Sequence, residues 1–423
     1  MLLRNVDIDG RRVDLRFDRS IEELGENLVP RDEDVIDGGG AAVIPGLHDH
    51  HVHLLALAAT ANSVSAVDLG ALHDVCAASE DRGWLRIVGF SDEVDRAALD
   101  RVSSTRPIRV QHRSGALWTL NSRALTEVGL EHSVDGKFWR DDQDLGERLR
   151  RIDATTPPDL AWVGRELARF GITGVTDATP ALDATARHMI AVAQETGALP
   201  QSVHLLSPGK LVLSDHSLPD YDSLRETIRA LHEQGQSVAL HCVTREAIAI
   251  AIATLSEVGV LSGDRIEHGA LMDTVTTRTL AAMNVAVVTQ PGFLCDRGDS
   301  YLRDVPANEH ADLYRYGSLC KAGAVVVPSS DAPFGPLDPW RVIASARDRT
   351  TETGATIGTA ESVPARTALD GYLRQLSDLA APARQLMVGA RADLVLLAVP
   401  LDIALDSPSA ENVVRTWCAG VPV

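Results

Sequence analysis

Pro45-Gly46-Leu47-His48-Asp49-His50-His51-Val52-His53 is the stretch on which the reading of this chain turns. It follows the apolar run 41–44 and a Pro-Gly breaker, so it reads as the end of a buried strand. Side chains alternate faces along a strand. Asp49, His51 and His53 therefore share one face, and His48, His50 and Val52 the other. Two imidazoles two apart on one face can hold a single divalent ion. An isolated His-x-His is more often a histidine-rich loop, so the metal reading needs partners further along the chain.

Working outward, strand-like and helix-like runs alternate, which implies parallel β-α units. A helix over 160–170 leads to a strand at 174–178, and a helix over 183–195 to a strand at 202–206. Lys210 opens the short strand 210–213, and a helix over 223–233 precedes the strand 238–242. Helix 245–258 precedes strand 265–268, helix 274–283 precedes strand 285–290, and the last strand is 324–331. Counted from Val43, that makes eight strands. The segment of roughly 54–160 breaks the alternation and carries its own strand candidates at 85–88 and 108–111, with a helix near 121–128. It reads as an insertion over the mouth of a barrel. Residues 1–44 and 385–423 show short half-buried strand patterns and pair into one small β domain.

The 423 residues carry 59 acidic against 40 basic side chains, and the net charge of −19 argues against nucleic acid or an anionic membrane as partner. The N-terminus shows no signal-peptide pattern and no apolar run is long enough to span a bilayer. Cys76, Cys242, Cys295, Cys320 and Cys418 are odd in number and never form Cys-x-x-Cys, which suits free thiols in a cytoplasmic protein. Lys137, Lys210 and Lys321 are the three lysines of the chain. A lysine at an apolar strand is thus less casual a choice of cation here.

The partners that His51 and His53 need are His241, His268 and Asp331, each at the carboxyl end of its strand. That is the end at which barrel enzymes build their sites. Four imidazoles and one carboxylate suit zinc or a similar first-row ion. Lys210 reads either as an exposed loop lysine or as an amine carboxylated by CO2, a carbamate able to bridge two ions.

These residues resemble the metal-dependent amidohydrolase superfamily, in the branch that contains N-substituted formamide deformylase (amidohydrolase family 3). The resemblance runs over Pro45-Gly46-Leu47 with His51-x-His53, Pro208-Gly209-Lys210 with Asp215, and Leu240-His241. It continues through Arg265-Ile266-Glu267-His268, Gln290-Pro291-Gly292-Phe293, Ser330-Asp331-Ala332-Pro333 and 389–394, and 121–125 is similar to a segment of the branch's insertion. It implies an α/β fold, a (β/α)8 TIM barrel with a small β-sandwich domain from both termini and an insertion after barrel strand 1. It further implies that His51 and His53 bind the deeper ion with Asp331 close by, that a carboxylated Lys210 bridges, and that His241 and His268 hold a second ion. One or two divalent ions, zinc first, follow as cofactors. Two departures lie near the pocket and bear on the substrate. Cys242-Val243-Thr244-Arg245 stands where the branch has Gly-Asp after the strand-five histidine, and His216 follows Asp215 where it has Gly.

The chemistry implied is hydrolysis of an amide or N-substituted formamide C–N bond. A metal lowers the pKa of bound water from about 16 toward roughly 7, supplying hydroxide, with Asp331 as general base and then acid. Cyclic-amide or imidazolone opening, deamination, and a degenerate ligand-binding member remain alternatives. His112, Arg113 and Trp118 in the insertion, with Phe293 and Tyr301, are candidate substrate contacts to a small molecule. A homodimer is compatible with the pattern.

Overall fold

The computed structural model describes residues 1–78, 83–91, 93–113, 115–139, 142–152, 158–214 and 218–423. Asp215 and His216 lie outside the described residues. The chain divides into two compact units, one of residues 1–54 and 163–423, the other of 55–162.

In the first unit, eight strands among the described residues run parallel in two ladders. One ladder has the order Ser202–Leu205, Ile172–Asp177, Leu47–Val52, and the other runs Lys210–Val212, Ala239–Cys242, Arg265–His268, Ala286–Thr289, Val326–Pro328. An isolated parallel bridge between Val52 and Ala332 joins them. Its hydrogen bonds, Asp331 N–H to His51 O and His53 N–H to Ala332 O, are both 2.9 Å. No ladder among the described residues links Ser202–Leu205 to Lys210–Val212.

Helices follow the strands, and side-chain carboxylates or hydroxyls start them. Asp183, Asp220, Asp273 and Asp338 each accept a backbone N–H of the first helical turn, as does Thr244. Each cap satisfies a donor that the helix itself leaves unpaired. In Arg245–Val258 the buried positions are Ala247, Ile248, Ala251, Thr254 and Leu255, a single stripe at helical spacing. Its Ala-Ile alternation looks strand-like locally, but the stripe has the longer period and wins.

The terminal segments form two four-stranded sheets. One has Leu2–Ile8 flanked by Arg11–Phe17 and Val35–Asp37, with Ile21–Gly25 outermost. The other orders Val421–Pro422, Val413–Cys418, Leu394–Leu397 and Val43–Pro45. One apolar cluster, including Leu3, Leu15, Phe17, Val43, Leu394 and Trp417, draws on both.

The strand expected to run from the apolar segment into the histidines is in fact two strands. Val43–Pro45 pairs antiparallel with Leu394–Leu397, whereas Leu47–Val52 pairs parallel with Ile172–Asp177. Gly46 is the switch: its N–H bonds to Asp393 O, and the next N–H, of Leu47, bonds to Gly171 O, both at 2.8 Å. A Cβ on Gly46 would lie 2.2 Å from the fully buried Thr173 side chain. Gly46→Ala should therefore cost about 1–3 kcal/mol of stability through overpacking. The denaturant midpoint reads this directly, and an unchanged midpoint would show that Thr173 yields freely.

The second unit is built on a five-stranded sheet, ordered Lys137–Trp139, Leu117–Leu120, Ile108–His112, Leu85–Phe90, Val64–Ser65. Leu85, Ile87, Ile108 and Val110 pack into one cluster, Trp118 and Leu120 into another. Asn121 is fully buried and knits this unit together. Its carbonyl oxygen accepts from Ile108 N–H (3.0 Å) and Ala124 N–H (2.9 Å), and its amide donates to Ser103 O and Arg106 O (both 2.8 Å). Among the described residues no helix is long and apolar enough to cross a membrane.

Candidate metal centre

Strand alternation does what the spacing requires. His48 and His50 turn away from His51, each giving a ring N–H to a backbone carbonyl, Arg374 O at 2.9 Å and Gly371 O at 3.0 Å. His51 and His53 stand together, their rings 5.4 Å apart.

Asp331 meets them from 280 residues away. It follows Val326–Pro328 after the chain has left the ladder, with a left-handed φ of 56°. Its Oδ1 lies 3.3 Å from His51 Nε2 and 3.2 Å from His53 Nε2. Donor atoms of His51, His53 and Asp331 all fall within 4.8 Å of one another, close enough for one ion. His268 ends its strand with φ 70°, which turns its ring out of the strand's alternation. That ring sits 5.0 Å from the His51 ring, with Nδ1 4.0 Å from Asp331 Oδ2. His241 Nδ1 is 2.9 Å from His268 Nε2. The five residues thus form one continuous group.

Lys210 opens its strand beside Ala239, two positions before His241 in the next strand. It is 4% exposed, and its Nζ is buried without a hydrogen-bond partner. A buried ammonium left so is costly. Burial pushes the Lys210 pKa down, against the pull of Glu267 and Asp331.

The residue that sequence inspection left without a role is Glu267. Fully buried, it bridges His51 Nδ1 and Arg265 Nε with short contacts to both. Arg265 in turn donates to His50 O at 2.6 Å. Glu267 accepts from His51 Nδ1–H and leaves Nε2 facing Asp331, which fixes the tautomer and angle of the ring. Gln290 acts likewise, its Oε1 accepting from His268 Nδ1 at 2.8 Å while its amide donates to Ser329 Oγ. Asp49 braces the Asp331 loop, accepting from Ser330 N–H at 3.2 Å and His51 N–H at 3.1 Å. The available signal for Glu267 was Arg265-x-Glu267, two opposite charges on one face of the short buried strand Arg265–His268.

Electrostatics keep this group ready for a cation. Burial, then the neighbouring His268, holds His241 well below the usual histidine range, and burial drops His268 to about 3. Both are neutral near pH 7, with lone pairs free to coordinate. Burial pushes the Asp331 carboxyl up, but His51 and the surrounding imidazoles outweigh it and hold the group ionised. Asp331 Oδ1 is buried against the Nε2 atoms of His51 and His53. Burial and Lys210 push the His51 pKa down, but Glu267 and Asp331 outweigh them and raise it. A buried carboxylate oxygen facing two imidazoles, a buried amine without a partner, and the neutral rings of His241 and His268 are what a divalent ion would satisfy.

Phe293 is 5% exposed in an apolar cluster with Leu294, Leu313 and Tyr314, and Arg297 lies over its ring at 4.2 Å. Tyr301 packs at the edge of that cluster, its hydroxyl 3.1 Å from that of Tyr314. Phe334 is the aromatic against the centre itself, edge-on to His53 at 5.3 Å. In the second unit, Trp118 is a core residue flanked by Arg86 and Arg109, each 5.4 Å from its ring. His112 ends its strand with Nε2 donating to Ser91 O at 3.2 Å, and Arg113 N–H bonds to Phe90 O at 2.8 Å.

Known proteins resemble this chain along most of its length. N-substituted formamide deformylase of Arthrobacter pascens is 24% identical, over 92% of this chain and 90% of its own. In fold, an uncharacterized metal-dependent hydrolase from Pyrococcus horikoshii OT3 superposes with a TM-score of 0.74 at 18% identity, covering 94% of this chain and 97% of its own. N-isopropylammelide isopropylaminohydrolase from Burkholderia multivorans ATCC 17616 gives 0.59 at 16%, covering 100% and 97%. A model of the amidohydrolase family matches residues 34–423. A match over that span, on a chain whose histidines and aspartate gather at parallel-strand ends, has one reading: the chain belongs to the amidohydrolase family.

Proposed function

We propose that the protein is a metal-dependent hydrolase of amide C–N bonds, with N-substituted formamides as the first substrate class to test. The observation that carries the proposal is the meeting of His51, His53, His241, His268 and Asp331, with the buried, unpartnered Lys210 amine acting on them electrostatically. The parallel strands are read as a (β/α)8 barrel, the terminal sheets as a β-sandwich domain of residues 1–44 and 385–423, and about 54–160 as its insertion.

One or two divalent ions, zinc first, would be held by the four histidines and Asp331, with Lys210 joining as a carbamate. When bound, such an ion supplies Lewis acidity and makes water a stronger acid. The protein's own part is proton management. Asp331 accepts the proton of the attacking water and returns it to the departing nitrogen, so that an amide and water yield an acid and an amine. Glu267 and Gln290 hold the two imidazoles against rotation meanwhile. The protein is proposed to work on a small molecule in the cytoplasm, with a homodimer as its assembly.

The test is turnover of an N-alkylformamide followed by formate release. Chelation should abolish it and zinc restore it. Ammonia as the product, or activity indifferent to chelation, would contradict the proposal. For Lys210, burial favours the neutral amine, which attacks CO2 and gives up a proton to form the carbamate. With 13C-bicarbonate, the protein should show a carbamate carbon resonance that Lys210→Arg lacks. The same resonance in the variant would remove Lys210 from the site.

A further inference from the structure

A cavity of about 620 Å³ opens near the start of the histidine strand, where Pro45 and His48 line it. None of His51, His53, Lys210, His241, His268 or Asp331 borders it. Its volume falls within the range of small-molecule sites, roughly 300–1,000 Å³. Leu376, Leu386 and Met387 give it apolar walls, and Arg384 and Arg391 give it cations.

The two arginines differ in what neutralises them. Arg391 pairs with Asp393 at 3.1 Å and donates to Ser202 Oγ at 2.5 Å. Asp393 is further engaged by Ala419 N–H at 2.8 Å. Arg384 reaches an uncharged partner, the Gly46 carbonyl, through one terminal nitrogen, and its Nε is buried with no hydrogen bond. No carboxylate among the described residues forms an ion pair with it. A void of about 320 Å³ also borders Arg384, so this residue lines both spaces. Burial lowers its pKa to about 10, which still leaves it charged at neutral pH.

His48 adds direction. Its Nδ1 donates to Arg374 O, and burial, then Arg384, keeps the ring neutral, so it brings no competing charge. Asp393 also lines the cavity and pulls on Arg384, but it is paired with Arg391, so two guanidiniums share one carboxylate. A desolvated site with this excess of positive charge, set among apolar walls, selects an anion with an apolar body. The planar fork of a guanidinium matches a carboxylate in particular.

We propose that this cavity is a second ligand site, taking a small organic carboxylate with an aromatic or aliphatic body and anchoring it on Arg384. Isothermal titration of the metal-loaded protein with benzoate, against neutral benzamide as control, tests it. Benzoate should bind saturably and benzamide should not. Arg384→Met should weaken benzoate at least about tenfold through loss of the charge-assisted pair. Ser377→Trp, at an exposed position on the cavity wall, should weaken it comparably by filling space while leaving the charge in place. Should Arg384→Met unfold because the Gly46 anchor is lost, Ser377→Trp alone decides. Absence of saturable benzoate binding overturns the proposal. So does binding that Ser377→Trp leaves unchanged, since that would place the carboxylate at the metal centre.

Discussion

Asp331→Asn is expected to lower kcat/KM on an N-alkylformamide by about 10³-fold, the scale of a lost general acid-base group. Asparagine is the informative replacement because Asp331 sits at φ 56°, a left-handed conformation that asparagine adopts more readily than alanine. The backbone anchors remain, Asp331 N–H to His51 O at 2.9 Å and Phe334 N–H to Asp331 O at 2.8 Å. What changes is that the side chain no longer carries a charge or accepts a proton. Metal content measured on the same sample separates the two roles of the residue. Loss of rate with metal retained assigns proton transfer, and loss of both assigns ligation. A fully active variant would take Asp331 out of the mechanism.

Glu267→Gln should carry the next largest effect, and on two observables at once. The carboxylate serves Arg265 on one oxygen and His51 on the other, all three side chains buried. Burial pushes the Glu267 pKa up, yet Arg265, Lys210 and His51 together pull it well below the usual range. A glutamine has one accepting oxygen, so one of the two partners loses its acceptor and Arg265 loses its counter-charge. Breaking a buried pair in this way costs about 3–5 kcal/mol. Freeing His51 Nδ1 should weaken metal affinity by about 10–100-fold. Chemical denaturation reads the first effect and competitive zinc titration the second. Wild-type values in both would leave Glu267 as packing alone.

How much of this was visible in the chain differs residue by residue. His51 and His53 were legible as a pair because a strand repeats every two residues, and the same rule sends His48 and His50 outward. His241, His268 and Asp331 stood out because each ends its strand, and polar groups buried at such ends must be satisfied by something. The turns that aim His268 and Asp331 inward were not legible, since a left-handed φ at a non-glycine residue leaves no mark in composition. Nor was the partnership of Glu267 with His51, residues 216 positions apart in the chain. Residues 41–44 misled for a local reason: an apolar run looks alike whichever sheet it joins, and only Gly46, crowded by Thr173, marks where the partner changes. The stretch 332–391 holds helices Pro339–Asp348 and Ala365–Tyr372, neither of them expected from the alternation of strands and helices, although Ala365, Ala368, Leu369 and Tyr372 repeat at helical spacing. Gly371 and Arg374, at and just past the end of the second, supply the carbonyls that take up His50 and His48.

The centre stands or falls on whether these side chains hold an ion together. Zinc bound per chain, measured by elemental analysis after exhaustive dialysis of the loaded protein, asks this most directly when a His51→Ala/His53→Ala double variant is run beside it. The unaltered chain should keep at least about one equivalent, as tight structural and catalytic zinc sites do, and the double variant almost none. Equal zinc in both proteins, or none in either, would mean that no ion is gathered there.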